Sequence, residues 1–237
     1  MLSGTRIAVV IPAYDEEERV GATVARVPAF VDDVVVIDDA SSDGTATAAC
    51  ASGDARLVVL RNASNRGVGA SIARGYLEAR RRGADVVAVM AGDGQMDPAD
   101  LPAVVGPVVR DEADYVQGNR LEHPRAADMP LSRRIANGTL GWLTGHALAG
   151  VALGDSQCGY TAISGSLIDR LPLERLWPRY GYPNDLVAWI ALVGGRVAEV
   201  PVRPVYRRER SGIRPWHALL MLGLIVRGSL RVRLASR

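Results

Sequence analysis

The residues best suited to chemistry stand where short apolar runs end. Asp38 and Asp39 close the run DVVVIDD, and residues 89–98, VMAGDGQMDP, pass from apolar side chains into Asp93, Gln95 and Asp97. Hard divalent cations prefer oxygen ligands, so carboxylates Asp38, Asp39, Asp93 and Asp97 suit such an ion together with hydroxyl groups of a ribose or base. Taken singly, an aspartate at a strand end is equally well a helix cap. The weight lies in agreement among successive run ends: PAYDEEE, DDASSDGT, NASNRGVGA and GDGQMD.

Those polar ends need a scaffold that brings them to one edge. The runs IAVVI (7–11), DVVVID (33–38), RLVVL (56–60) and DVVAVM (85–90) are almost continuous in Val and Ile, as strands covered on both faces are. Helical spacing lies between them, over 16–27, through TATAAC and over 68–82. The pattern predicts an α/β, Rossmann-like, mostly parallel sheet with helices on both faces. Its ligands would sit outside the carboxyl ends of the strands. Beyond residue 99 the regularity weakens: a proline-containing helix over 98–110, a strand DYVQGN, a helix over 131–148, strands near 157–163 and 196–202, and a terminal amphipathic helix over 216–234.

The 237 residues, 48% hydrophobic and 23% charged, can bury a full core and predict one domain with an appendage. A net charge of +2 gives no global pull toward a polyanion, and no nucleic-acid partner is expected. Every basic residue other than histidine is Arg, a pattern that GC-rich codon usage explains, although each guanidinium still offers a two-pronged fork to phosphate. Cys50 and Cys158 fit neither a zinc spacing nor a disulfide framework, and His123, His146 and His217 are too scattered to form a ligand set. The N-terminus lacks the features of a signal peptide, and no stretch reaches the roughly 18 apolar residues of a membrane span, so a reduced cytoplasmic protein is expected.

VVIPAYDEEERV, VVVIDDASSDGT, NRGVGASIARGY and MAGDGQMDP, in this order and spacing, resemble family 2 glycosyltransferases of the GT-A fold. The resemblance is to the branch of polyprenyl (dolichyl) phosphate mannosyl- and glucosyltransferases, and it extends through GNR, MPLSRRIANG, DSQCGYTAIS and VPVRPVYRRERSG. It implies an inverting, metal-dependent transfer of a hexose from GDP-mannose, UDP-glucose or UDP-N-acetylglucosamine to polyprenyl phosphate. Pro12, Ala13, Tyr14 and Glu16 would line the nucleotide pocket, with Asp39, Arg66 and Gly67 beside the base and ribose. Asp93 and Gln95 would ligate Mg²⁺ or Mn²⁺ beneath the donor diphosphate. Two departures stand out: Asp15 replaces the usual Asn, and Ala91 replaces the first aspartate of M-D-A-D-G-Q-x-D.

The same resemblance assigns Arg207 and Ser211 to a loop over the donor, where a cation would offset charge on the leaving diphosphate. It assigns Arg120 and Arg133 to the acceptor phosphate, whose charge-assisted contacts with guanidinium are strong. Such an acceptor is already largely ionised at neutral pH and needs no strong base. An alcohol acceptor needs one, and Asp185 lies where hydroxyl-glycosylating relatives carry a catalytic carboxylate; a helix cap is its other reading. Asp155 matches a position near the active site. The expected division is a transferase domain over 1–212, with a nucleotide-sugar half (1–118) and an acceptor half (119–212), followed by a helix over 213–237 that either meets a membrane interface or packs on the core. A soluble small-molecule acceptor, or a nucleotide-binding module without activity, remain the alternatives.

Overall fold

The computed structural model describes residues 4–148, 153–205 and 216–235, without the side chains of 216–218. The strands are β1 (Ile7–Ala13), β2 (Asp33–Asp38), β3 (Leu57–Arg61), β4 (Val86–Val89), β5 (Tyr115–Asn119), β6 (Thr161–Ser164) and β7 (Val197–Pro201). The helices are α1 (Val20–Ala25), α2 (Thr45–Cys50), α3 (Val68–Arg81), α4 (Leu101–Val109), α5 (Leu131–Ala147), α6 (Gly165–Ile168), α7 (Tyr182–Leu192) and α8 (Trp216–Ala235).

The strands form one sheet in the order β3-β2-β1-β4-β6-β5-β7. All pairings are parallel except those of β6, which runs antiparallel to both β4 and β5. Alternation along the strands separates two apolar layers, as the two-residue period of a strand requires. Ala8, Val10, Val35, Ile37, Val87 and Val89 face α3 and α7, where Ile72, Tyr76, Leu186 and Ile190 meet them. Ile7, Val9, Ile11, Val34, Val36 and Ala88 face α1, α2 and α4, against Val20, Val24, Ala49, Leu101 and Val104. Both faces are therefore dry, which explains the unbroken Val and Ile runs.

The first helix is shorter than its pattern, beginning at Val20 rather than residue 16. Asp15 adopts a left-handed backbone, φ 53°, that ends the strand and delays the helix. The chain leaves β1 for β2 on one side, while β4 pairs on the other. That reversal of strand order opens a crevice at the carboxyl ends of β1 and β4.

Helix α8 packs on α7 and α5. Met221, Leu224 and Ile225 are buried there, whereas Leu219, Leu222, Val226, Leu230 and Leu234 remain exposed. Among the described residues, no helix is long and apolar enough to cross a membrane.

Candidate active site

Two adjoining cavities occupy that crevice. The larger, about 440 Å³, is lined by Pro12, Ala13, Tyr14, Glu16, Asp39 and Gly67, all expected from the sequence, and also by Ser71, Arg179 and Tyr180. The smaller, about 280 Å³, is lined by Gln95, Met96, Arg120, Gln157, Tyr160, Tyr182 and Met221, among others. Pro12, Val68, Ala91, Asp93 and Tyr180 belong to both walls, so the cavities meet at Asp93.

Asp39 is 3% exposed and organises the loop after β3. Its Oδ1 accepts from Asn62 Nδ2 at 2.6 Å and from the Arg66 amide at 2.9 Å, and its Oδ2 accepts from the Gly67 amide at 2.7 Å. Arg66 and Gly67 meet Asp39 through their backbone amides; Gly67 lines the larger cavity and Arg66 lines neither. Gly67 has φ 94°, and a Cβ there would lie 2.5 Å from the Pro178 carbonyl oxygen. Glycine is demanded by conformation and by space together. Asp15 braces the same edge, its Oδ1 accepting from the Ser42 amide at 2.8 Å.

The four strand-end carboxylates do not form one acidic cluster. Asp38 is fully buried, with Oδ1 accepting from the Ser41 amide at 2.9 Å. Asp97 caps a short helical turn by accepting from the Ala99 amide at 3.1 Å, and it pairs with Arg203 at 3.3 Å. That leaves Asp93, whose Oδ1 accepts from the Gln95 amide at 2.9 Å, at the junction of the cavities. No group of three or more His, Cys, Asp or Glu able to hold a metal occurs among the described residues. Asp93 and Gln95 are hard oxygen donors and fit Mg²⁺ or Mn²⁺ only in company with ligand oxygens and water.

Arg120 projects from the end of β5 into the smaller cavity, held by a buried partner. Its Nε and Nη2 donate to Asp155 Oδ2 and Oδ1 at 2.7 and 3.0 Å, and Asp155 is fully buried. Glu199 on β7 fixes the turn that carries Asp155, accepting from the Gly154 and Asp155 amides at 2.8 and 3.1 Å and from Asn119 Nδ2 at 3.0 Å. Burial raises the Glu199 carboxyl above its ordinary range, although these donors pull the other way. Burial likewise pushes the Cys158 thiol up to about 11, which favours the uncharged thiol.

The remaining expected residues lie elsewhere. Arg133 is in the first turn of α5 and lines neither cavity. Asp185 is fully buried in the first turn of α7; it accepts from the Trp177 amide at 2.9 Å and pairs with Arg231 at 3.3 Å, also away from both cavity walls. Nor does it cap the helix, whose N-cap is Gly181. Arg207 and Ser211 fall outside the described residues. Sequence reasoning missed Arg179 and Tyr180, which come from the second half of the chain yet complete the larger cavity. Their only local signal is the YGY turn around Gly181, φ 95°.

The crevice thus lies at the sheet's switch point, with Asp39 and the Gly67 loop on one side and Arg120 on the other. The Glycosyl transferase family 2 profile matches residues 8–143, and the chain belongs to that family. The dolichyl-phosphate N-acetylglucosaminyltransferase of Methanococcus voltae, which uses UDP-N-acetylglucosamine, is 27% identical over 91% of this chain and 95% of its own. The undecaprenyl-phosphate mannosyltransferase of Micrococcus luteus is 32% identical over 85% of this chain and 84% of its own. Glucosyl-3-phosphoglycerate synthase from Mycobacterium tuberculosis, solved with Mn²⁺, UDP and glucosyl-3-phosphoglycerate, superposes with TM-score 0.63 at 23% identity, covering 96 to 98% of this chain across its solved forms. The fold is GT-A, and the protein is a glycosyltransferase.

Proposed function

We propose that this glycosyltransferase moves a hexose from a nucleotide sugar in the larger cavity to the phosphate of a polyprenyl phosphate entering the smaller one. The observation that supports the reading is the junction at Asp93, which joins a pocket lined by Tyr14, Glu16, Asp39 and Arg179 to one where Arg120 stands among Val89, Met96, Val202 and Met221. Such a second pocket suits an acceptor whose phosphate is followed by hydrocarbon. Asp155 holds Arg120 through Nε and Nη2, which fixes the guanidinium at the wall of the smaller cavity, where it would meet an acceptor phosphate. An ionised phosphate oxygen attacks C1 from the side opposite the leaving diphosphate, inverting the anomeric centre without a protein base. Asp93 and Gln95 would hold Mg²⁺ or Mn²⁺, which when bound would supply Lewis-acid neutralisation of the leaving diphosphate. Arg133 is assigned to the acceptor phosphate, and Arg207 and Ser211 to the donor, on the family resemblance alone.

An anionic bilayer is the source of such an acceptor, and the helices α5 and α8 suit it. Leu131, Ile135 and Trp142 on α5 and Leu219, Val226, Leu230 and Leu234 on α8 are exposed at helical spacing. Neither helix contains Asp or Glu, while Arg133, Arg134, Arg227 and Arg233 lie within them. Apolar side chains flanked by arginine, with no acid, match the headgroup region of an anionic leaflet.

The test is incubation with radiolabelled GDP-mannose, UDP-glucose and UDP-N-acetylglucosamine, each with a polyprenyl phosphate and Mn²⁺. One donor should yield lipid-extractable label. Water-soluble label formed only with a small phosphorylated acceptor would establish the second reading, which likeness to a phosphoglycerate-handling fold supports.

A further inference from the structure

We infer that Asp185 is a positioning residue that couples the C-terminal helix α8 to the wall of the larger cavity. The inference rests on that cavity being the donor site. Asp185 stands between two partners from distant parts of the chain: Oδ2 accepts from the Trp177 amide at 2.9 Å, and Oδ1 faces Arg231 Nη1 on α8 at 3.3 Å. It is fully buried, so both oxygens are committed inside the protein.

On one side of Asp185 is the cavity wall. Trp177 Nε1 donates to the Tyr180 carbonyl at 3.0 Å, which curls residues 177–180 into a closed turn. The Pro178 carbonyl accepts from the Ala70 amide at 3.1 Å, at the start of α3. A Cβ at Gly69 would lie 2.2 Å from the Trp177 carbonyl oxygen, so this backbone rests directly on the first turn of α3. Arg179 and Tyr180, carried on the same turn, line the larger cavity, and Arg179 Nη1 donates to Asn65 Oδ1 at 3.3 Å. Moving the Trp177 amide therefore moves both the cavity wall and the glycine-rich loop opposite it.

On the other side is α8. The Arg231 guanidinium lies 3.8 Å over the Trp189 ring, a cation–π contact that orients it toward Asp185. Leu224 would meet a Cβ at Gly181 at 2.7 Å, and a Cβ at Gly228 would lie 2.6 Å from the Ala188 methyl, so α8 is seated on α7 and on the turn before it. A buried carboxylate with one cationic partner tolerates its loss poorly, because an unpaired charge away from water is expensive. Withdrawing Arg231 leaves the buried Asp185 carboxylate without its cationic partner, and any displacement of it weakens its hold on the Trp177 amide. The seating of α8, whose outer face carries the exposed apolar stripe, thereby sets the donor wall.

Amide hydrogen exchange on the full chain, comparing wild type with Arg231→Met and Arg231→Lys, reads this coupling without any nucleotide. In Arg231→Met the Trp177 and Ala70 amides should exchange about tenfold faster while those of β1 are unchanged, a sub-global opening. Arg231→Lys should fall between, because it keeps the charge and loses the planar stack. Unchanged exchange at both amides, with β1 intact, overturns the inference. The kinetic arm uses whichever donor the wild type turns over. Asp185→Asn should raise donor KM about fivefold with kcat within about twofold, a loss of uniform binding. A fall in kcat of about a thousandfold at unchanged donor KM would instead make Asp185 the catalytic base and sink the coupling role. Failure of the wild type to bind UDP, GDP or their sugars would remove the donor reading, while the exchange result would still decide the coupling.

Discussion

Arg120 and Asp155 form a two-point ion pair, Nε to Oδ2 at 2.7 Å and Nη2 to Oδ1 at 3.0 Å, with Asp155 sealed from solvent. The pair fixes a guanidinium that would otherwise sample several rotamers at a cavity mouth. Orientation of this kind is what a phosphate site needs before its ligand arrives. Arg120→Lys keeps a positive charge but cannot hold both Asp155 oxygens in one plane. Acceptor KM should rise about tenfold, roughly 1.4 kcal/mol, with donor KM unchanged. Steady-state kinetics varying each substrate separately checks this, and an equal rise in both would place Arg120 outside the acceptor site.

Removing the anchor should cost stability as well. Asp155→Ala leaves Arg120 beside an emptied, buried site and should destabilise the fold by about 3 kcal/mol, as loss of one member of a buried pair does. Urea unfolding measures it; a change below about 1 kcal/mol would mean the pair is effectively solvent-screened.

Glu199 gives the fold a pH dependence of known sign. Its carboxyl is raised above the ordinary value of 4.5, so the folded protein holds this proton more tightly than the unfolded chain does. Its contribution to stability is therefore full below the ordinary value and declines as pH rises through the folded one. Glu199→Gln removes the titration. The stability difference between variant and wild type should change with pH across that window, in denaturant melts taken from about pH 4 to 7. A constant difference would show that Glu199 titrates normally.

Ala91 lines both cavities beside Asp93, at the position where the motif pattern the sequence resembles has another aspartate. Ala91→Asp adds a hard oxygen ligand and a negative charge, and should tighten Mn²⁺ binding in the presence of UDP or GDP about tenfold. Calorimetric titration reads the change directly. Identical affinity would mean that side chain 91 does not face the ion.

Gly67→Ala tests the fit of the glycine-rich loop against residues 177–180. With φ 94° and a Cβ position 2.5 Å from a carbonyl oxygen, any side chain strains the backbone and displaces Pro178. A loss of about 2 kcal/mol is expected from thermal unfolding.

The exposed stripe should govern lipid binding. Replacing Trp142 and Leu230 with Glu should reduce sedimentation with phosphatidylglycerol vesicles several-fold while leaving water-soluble nucleotide binding unchanged. Raising ionic strength should weaken the wild-type association, because the arginines act through a screened field.

Much of this architecture was legible in the chain itself. The limits of β2, α2 and the start of α3 coincide with their sequence patterns, because continuous apolar runs and strand-end aspartates are local signals of burial and of chain reversal. Most residues that the first half gives to the larger cavity stand at or shortly after a strand end, and the family resemblance already singled out Pro12, Ala13, Tyr14, Glu16, Asp39 and Gly67. The roles of individual carboxylates were not legible. Asp38, Asp39, Asp93 and Asp97 look alike in sequence, yet one is buried, one holds a loop, one caps a turn, and Asp93 alone stands where the cavities meet.

Asp185 makes the contrast plainest. Its position in a YGYPND stretch reads equally as a base or a cap, and only contacts with residues 8 and 46 positions away make it a tie between Trp177 and Arg231. The antiparallel course of β6 and the closure of the cavity by Arg179 and Tyr180 are of the same kind. Periodicity and composition act over a turn or a strand, so sequence by itself determined which elements form and which polar ends share an edge. What each polar group does depends on the partner that desolvates and pairs it, and tertiary packing alone decided that.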